Sequence, residues 1–335
     1  TDVAFELLLR VGGGELSAAY EGLCPVAVYG ELWSHQTLLS RVARRCGLDS
    51  LFGKSCLSPV EALYKNGGFD LIYSNTITNG GIIAELSRLE IPILCHVHEL
   101  ETMIAKYGPE NLEHHERHCV HFIADSRATQ RNLVKRHGFS PSLVELAYEF
   151  VDVDDVIASA DAAPEVPVMA DGCFIVGGCG YSYHRKGKDL FVALAKSVLA
   201  LDPGRSYRFV WVGGEPDSEE TQKFLADIER GDLSSVVQFI PHVNNVSPYF
   251  KMFDVFALTS REEPLGMVML EAASLECPVL CFEASGGALE FVGQDAGFVI
   301  PGLSVDQMAE RTVELANQEE IRKSLGKRAA DKVRA

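Results

Sequence analysis

Short apolar runs alternate with amphipathic stretches of helical length from one end of this chain to the other, and that alternation admits few architectures. Apolar runs of about four to eight residues, bounded by turn residues, read as strands buried on both faces. Strands of that kind belong to parallel sheets, whose connections are crossover helices. In the first half the strand candidates are AFELLL, PVAVYG, FDLIYSN, IPILCHVH, HFIA and LVELAY. Between them HQTLLSRVARRCG and SRATQRNLVKRHG carry the 3.6-residue period and end on glycine, as C-capped helices do. The segment DVDDVIASADAAPEVPVMADG interrupts the pattern with five aspartates and two prolines and reads as a linker. The expected boundary lies near position 165, giving domains 1–164 and 165–335. The second half restarts with CFIVGG, YRFVWVGG, VVQFIPHV, DVFALTS, CPVLCFE and GFVI, and helices are expected at 187–201, 217–231, 264–275 and 303–317. The fold class is thus α/β, two doubly wound parallel-sheet domains. Such sheets bind ligands at the carboxyl ends of their strands, so a site is expected in a cleft where the two edges face.

Charge and cysteine usage narrow the function. Thirty Lys plus Arg against 47 Asp plus Glu give a formal charge of −17, which opposes attraction to phosphate polymers, so no nucleic-acid partner is expected. Nine cysteines, scattered and without a CxxC, indicate neither a disulfide framework nor a cysteine zinc site and favour a reducing compartment. No apolar stretch approaches the roughly 18 residues of a bilayer span. The expected location is cytoplasmic, with at most peripheral contact at the inner membrane face. Arg41, Arg44 and Arg45 lie on one side of a helix and suit either a lipid-linked acceptor or plain solvation.

SREEPLGMVMLEAAS, residues 260–274, sets two carboxylates at the ends of an apolar run. Pro264 suits a first helical turn, so a helix is expected immediately after Glu263. Eight residues would then set Glu271 roughly 12 Å further along the axis and near the same face. The free N–H groups at such a helix start favour an anion. Two acids flanking a diphosphate site fit a nucleotide sugar; a solvated pair is the plainer reading. Against that plainer reading, Glu271 sits among Met267, Val268, Met269, Leu270, Ala272 and Ala273 with no polar face around it.

The same stretch resembles the E-x7-E signature of retaining glycosyltransferases of family 4, which have the GT-B fold of two Rossmann-like domains. HRKGKDLFVALA, YRFVWVGG, DVFALTSREEP and CPVLCFEASGGALEFV extend the resemblance over the second half. FDLIYSNT, IPILCHVHELE and HFIADSRATQRNL extend it more loosely over the first. The resemblance implies that Glu263 lies against the donor sugar, that Glu271 binds ribose hydroxyls, and that the backbone of Leu265, Gly266 and Met267 holds the phosphates. It implies further that Arg185 and Lys186 neutralise the departing diphosphate. Many members have an arginine some six residues before the lysine, where this chain has Gly180. His98, followed by Glu99, fits the position facing the transferring sugar better than His96 does. Val243 falls where the base is read through backbone groups, and Ser285, Gly286 and Gly287 resemble the loop near the donor sugar. Glu263, His98 and Lys186 are the expected catalytic residues.

The activity implied is transfer of a hexose from a UDP- or GDP-sugar to a hydroxyl acceptor, whether saccharide, lipid-linked or small molecule, with retention, without metal and without a cofactor. Donor-binding is expected in 165–335 and acceptor-binding in 1–164. Gly12 to Gly14 stand only about ten residues before the next strand, short for a crossover, so a first βα unit is expected to be absent, as is the crossover helix after KVRA. A rival reading is a metal-dependent hydrolase using His96 and His98 with His114 and His118, the latter two at helical i, i+4 spacing. Gly178-x-Gly180 has Tyr183 where a dinucleotide fingerprint needs its third glycine.

Overall fold

A computed structural model describes residues 3–13, 17–34, 59–168 and 172–335. The expected helix HQTLLSRVARRCG with Arg41, Arg44 and Arg45, and the glycine Gly14, lie outside the described residues. The chain forms two compact units, one of residues 1–97 and 103–122, the other of residues 98–102 and 123–335.

In the first unit, strands β1 (Leu7–Leu9) and β2 (Val26–Val28) pair in parallel with Leu7 opposite Val26. Strands β3 (Ile72–Ser74) and β4 (Ile93–Val97) also pair in parallel, with Ile72 opposite Ile93, and the helix Gly80–Leu86 lies between them in sequence. Strand β5 (His121–Ala124) begins in this unit, where the Val120 N–H donates to the Ile93 carbonyl at 2.8 Å. Each of these pairings is the parallel strand and crossover that the alternation of apolar runs requires.

The second unit contains the end of β5 beside β6 (Val144–Leu146), joined by Ala147 N–H to the Ala124 carbonyl at 3.0 Å. It also contains a six-stranded sheet of β7 (Phe174–Cys179), β8 (Tyr207–Val212), β9 (Val237–Ile240), β10 (Val255–Leu258), β11 (Val279–Phe282) and β12 (Gly297–Ile300). The order is β12-β11-β10-β7-β8-β9, with every pair parallel. The chain therefore winds outward from β7 in one direction, then returns and winds outward from β10 in the other. That reversal leaves the carboxyl ends of β7 and β10 adjacent with their following helices on opposite faces, the usual ligand crevice of such a sheet.

Both faces of this sheet are covered, which is why its strands are apolar throughout. Along β8, Phe209 and Trp211 join a core with Phe191, Phe224 and Leu315, while Val210 and Val212 join the opposite core with Tyr249, Phe256 and Met269. The helices Lys188–Leu201, Glu219–Arg230 and Val305–Asn317 fall within two residues of their expected starts. The six-stranded sheet opens at Phe174, after the boundary expected near 165. Residues 123–164 group with this unit because their hydrogen bonds end there: Glu290 accepts from the N–H groups of Arg127 and Ala128 and from the Tyr148 hydroxyl, at 2.9–3.0 Å.

Gly187 joins the Arg185–Lys186 turn to the helix that follows. Its φ is +70°, and a Cβ there would lie 2.0 Å from the Thr259 carbonyl oxygen. Left-handed backbone costs an L-residue about 1–2 kcal/mol before any collision is counted. Gly187→Ala is expected to lower the thermal midpoint by several degrees in a circular-dichroism melt, and an unchanged midpoint would show that the turn tolerates a side chain.

Candidate active site

Three loops at the carboxyl ends of β7, β10 and β11 meet around Glu263. Its side chain is buried, the residue being 4% exposed, and one carboxylate oxygen accepts from Lys186 Nζ at 2.6 Å and from Ser260 Oγ at 2.8 Å. The other oxygen lies 3.7 Å from the Arg185 guanidinium, which donates to the Glu262 carbonyl at 3.2 Å. An ionised carboxylate so far from water is tolerable only with such partners. The backbone is tied as firmly: Glu263 N–H donates to the Ser285 carbonyl at 2.6 Å, and Gly287 N–H to the Glu263 carbonyl at 2.9 Å. Arg261 clamps the basic turn from the other side, bonding the His184 carbonyl at 3.0 Å and both oxygens of Asp189.

The expected helix start is corrected. The helix runs Met267–Ser274, and residues 263–266 form a loop in which Glu263 makes a parallel bridge with Gly286. Proline at 264 biases Glu263 toward extended backbone, which suits the bridge as well as it would suit a residue capping a helix. Gly266 then turns the chain into the helix with φ +101°, a conformation open to glycine. Glu263 and Glu271 consequently do not share one helix face; the second alone is on the helix, and the first stands in the loop before its N-terminus. Leu265 and Gly266 in that loop are buried, and Met267 partly so.

Glu271 is partly buried, and among the described residues no side chain hydrogen-bonds to it. Burial holds its carboxyl above the ordinary glutamate range. Val243 is buried within the apolar core beside β9, while the neighbouring His242 N–H donates to the Gly214 carbonyl at 3.2 Å. Ser285 is buried with its hydroxyl on the Phe282 carbonyl at 2.7 Å. The structure thus brings Glu263, Lys186, Arg185 and the Ser285–Gly287 loop together, and puts Gly266 and Met267 at the adjoining helix N-terminus.

His98 belongs to the same compact unit, in the loop following β4, and two of its acidic neighbours, Glu149 and Asp125, are given no role by the sequence motifs. Its Nδ1 lies 2.6 Å from the Glu149 carboxylate and 4.0 Å from that of Asp125, and the Glu99 carboxylate accepts from the His98 N–H at 3.1 Å. Burial alone would lower the affinity of the imidazole for a proton. The close carboxylate of Glu149, with Asp125 and Glu99, outweighs it and holds His98 above the usual histidine value. Asp125 is 1% exposed, and burial pushes its carboxyl up to about 7, the charge of Glu149 adding to the effect while Thr129, His98 and Ser126 oppose it. Sequence signals for these two acids are weak: each stands alone after a short strand, without a motif.

The histidine set of the hydrolase reading does not assemble. Among the described residues the three-group cluster able to hold a metal ion is His98, Asp125 and Glu149, and it includes none of His96, His114 and His118. His96 shares a hydrogen bond with the Tyr73 hydroxyl, and the His114 and His118 rings stack at 6.2 Å. His115 is the buried member of that helix, bonded to the Asn111 carbonyl and the Asn79 side chain at 2.7 and 2.9 Å. No described helix is long and apolar enough to cross a membrane.

Residues 174–332 match the family described as glycosyl transferases group 1, and residues 26–155 match glycosyltransferase family 4. A D-inositol 3-phosphate glycosyltransferase of Kineococcus radiotolerans is 26% identical over 321 residues, covering 84% of this chain and 72% of that one. An uncharacterised glycosyltransferase of Haemophilus influenzae is 27% identical over 143 residues, 42% of this chain and 39% of its own length. Among solved structures, the Anabaena protein HepE in complex with UDP and glucose superposes with a TM-score of 0.78 at 19% identity, over 98% of this chain and 86% of that one. Parallel sheets in two Rossmann-like domains and these matches define the class as GT-B enzymes that transfer sugars. The chain belongs to the glycosyl transferases group 1 and family 4 set, and it is a glycosyltransferase.

Asp125 gives a test of these electrostatics. An acid whose folded value is raised contributes stability that is fully present below its unfolded value near 3.8 and is lost as pH rises through about 7. Asp125→Asn does not titrate, so its stability relative to wild type should be greater at pH 8 than at pH 4, by on the order of 3 kcal/mol. Denaturant unfolding at the two pH values measures this, and a difference independent of pH would contradict it.

Proposed function

We propose that the enzyme transfers a hexose from a nucleotide-diphosphate donor to a hydroxyl acceptor with retention of anomeric configuration and without a metal ion. The observation that carries this reading is the convergence of Lys186, Arg185 and Glu263 beside the N-terminus of the helix Met267–Ser274. Cations and a helix N-terminus together make a site for a diphosphate. Lys186 and Arg185 would bind the phosphates, with N–H groups of Leu265, Gly266 and Met267 completing the cradle. Glu263 would meet hydroxyls of the donor sugar, and the carboxyl of Glu271, raised by burial and bonded by no described side chain, would meet the ribose. Backbone groups at Val243 would read the base. UDP is the favoured nucleotide over GDP, since the Anabaena neighbour was solved with UDP and glucose. Residues 165–335 would serve the donor and 1–164 the acceptor, in the cytoplasm and at most peripherally at the inner membrane face.

In the reaction the bond between the anomeric carbon and the diphosphate oxygen breaks, and the acceptor oxygen attacks from the face the diphosphate leaves. The acceptor proton passes to a departing phosphate oxygen. Negative charge accumulates on that oxygen, so fixed cations act mainly in the transition state. His98 would face the transferring sugar as a hydrogen-bond partner. The acceptor is a hydroxyl compound, whether saccharide, lipid-linked or small molecule.

A donor panel with product analysis tests the reading. Lys186→Ala is expected to lower kcat by roughly 100- to 1000-fold, the range for loss of one such stabiliser. Proton NMR of the product should show the anomeric configuration of the donor, and EDTA should leave the rate unchanged. An inverted product, or a rate abolished by EDTA and restored by a divalent ion, would overturn the corresponding part.

A further inference from the structure

We propose that Glu149 is a positioning residue for His98, holding the proton on Nδ1 so that Nε2 of the neutral imidazole is presented as a hydrogen-bond acceptor to a hydroxyl of the sugar undergoing transfer. The inference deepens the proposed reaction and rests on that reading for the role of His98. Its geometric basis is independent of any substrate. The Glu149 carboxylate lies 2.6 Å from His98 Nδ1, both side chains being about four-fifths buried. A hydrogen bond to one ring nitrogen decides the tautomer and the orientation of the other.

The loop that carries Glu149 is itself fixed. Tyr148, its neighbour, donates to the Glu290 carboxylate at 2.9 Å, and the same carboxylate accepts from Arg127 and Ala128 at the start of the helix Arg127–Arg131. Asp125 precedes that helix by two residues, and Ser126 caps it by accepting from Thr129 N–H at 3.1 Å. One carboxylate thus ties together the segments bearing both acids that face His98. The charged groups facing the ring are Glu149, Asp125 and Glu99.

The second acid is not equivalent to the first. Asp125 is 4.0 Å from Nδ1, beyond hydrogen-bond distance, and burial pushes its carboxyl up to about 7. Glu149, at 2.6 Å, is therefore the carboxylate placed to hold the proton on Nδ1. The three groups could also ligate a cation, their donor atoms lying within 4.8 Å of one another. A cation there would need a deprotonated Nδ1 and would break the 2.6 Å contact, so the proton-bearing arrangement is the one the geometry favours.

The test is a nitrogen-15 NMR titration of the histidine rings in the donor-free protein, with Glu149→Gln and Asp125→Asn alongside wild type. In wild type, Nδ1 of His98 should stay protonated across the titration while Nε2 titrates. Glu149→Gln should move the His98 midpoint to lower pH and lower kcat by roughly 10- to 100-fold with little change in donor KM. It should also shift the acidic-to-neutral region of the kcat profile. Asp125→Asn should leave the Nδ1 assignment intact. Protonation of Nε2 instead of Nδ1 in neutral wild-type protein would overturn the proposal, as would an unmoved midpoint in folded Glu149→Gln or a Zn²⁺ or Mn²⁺ ion retained at the three groups. Because the titration needs neither donor nor turnover, its result stands even where no nucleotide sugar proves to be a substrate.

Discussion

A carboxylate withdrawn from water organises this enzyme. Glu263 is tolerable where it lies because Lys186 and Ser260 bond one oxygen and Arg185 approaches the other. Those partners come from the loops after β7 and β10, which adjoin only because strand order reverses between those two strands. Desolvation of one ion is offset by hydrogen bonds from others, and the backbone bonds to Ser285 and Gly287 prevent the loops from relaxing apart. The topology, the ion pair and the turn glycines therefore stand or fall together. Sugar transfer follows from the family matches, and the chemistry proposed for it follows from which charges this crossing brings into contact.

The pairing also suggests how charge is managed through a catalytic cycle. Without donor, the cations at Arg185 and Lys186 have a carboxylate to neutralise; an arriving diphosphate would compete for the same ammonium and guanidinium groups. Freed of part of that pairing, Glu263 would become available to donor hydroxyls. Another buried acid cluster surrounds His98, where Glu149 lies 2.6 Å from Nδ1 and the more deeply buried Asp125 is pushed up to about 7. Both clusters place ionisable groups at strand ends, where buried sheet gives way to polar loops.

Much of the fold is legible in the sequence because parallel strands buried on both faces leave a distinct pattern. Tyr207–Val212 is apolar at all positions but Arg208, and its alternate residues feed two different cores. Three helices of the second half fall within two residues of expectation because amphipathic periodicity and capping are local. The start of the helix Met267–Ser274 is not legible in the same way, since its first turn depends on a non-local bridge between Glu263 and Gly286. Proline at 264 is compatible with either outcome. At the site, Glu263, Lys186 and Arg185 carry a motif, whereas Glu149 and Asp125 do not; proximity to His98 is a tertiary fact with no sequence spacing to announce it. The histidine run HHERH looks metal-like, yet its buried member, His115, is occupied by Asn111 and Asn79.

The most direct measurement is equilibrium binding of UDP by calorimetry to wild type and to Glu263→Gln at several salt concentrations. If Glu263 and the diphosphate compete for Lys186 and Arg185, removing the carboxylate charge should tighten UDP binding severalfold, with the gain diminishing as salt rises. Equal affinity in the two proteins, or binding of UDP that ignores Glu263 at every salt concentration, would contradict the account of a diphosphate seated on this pair.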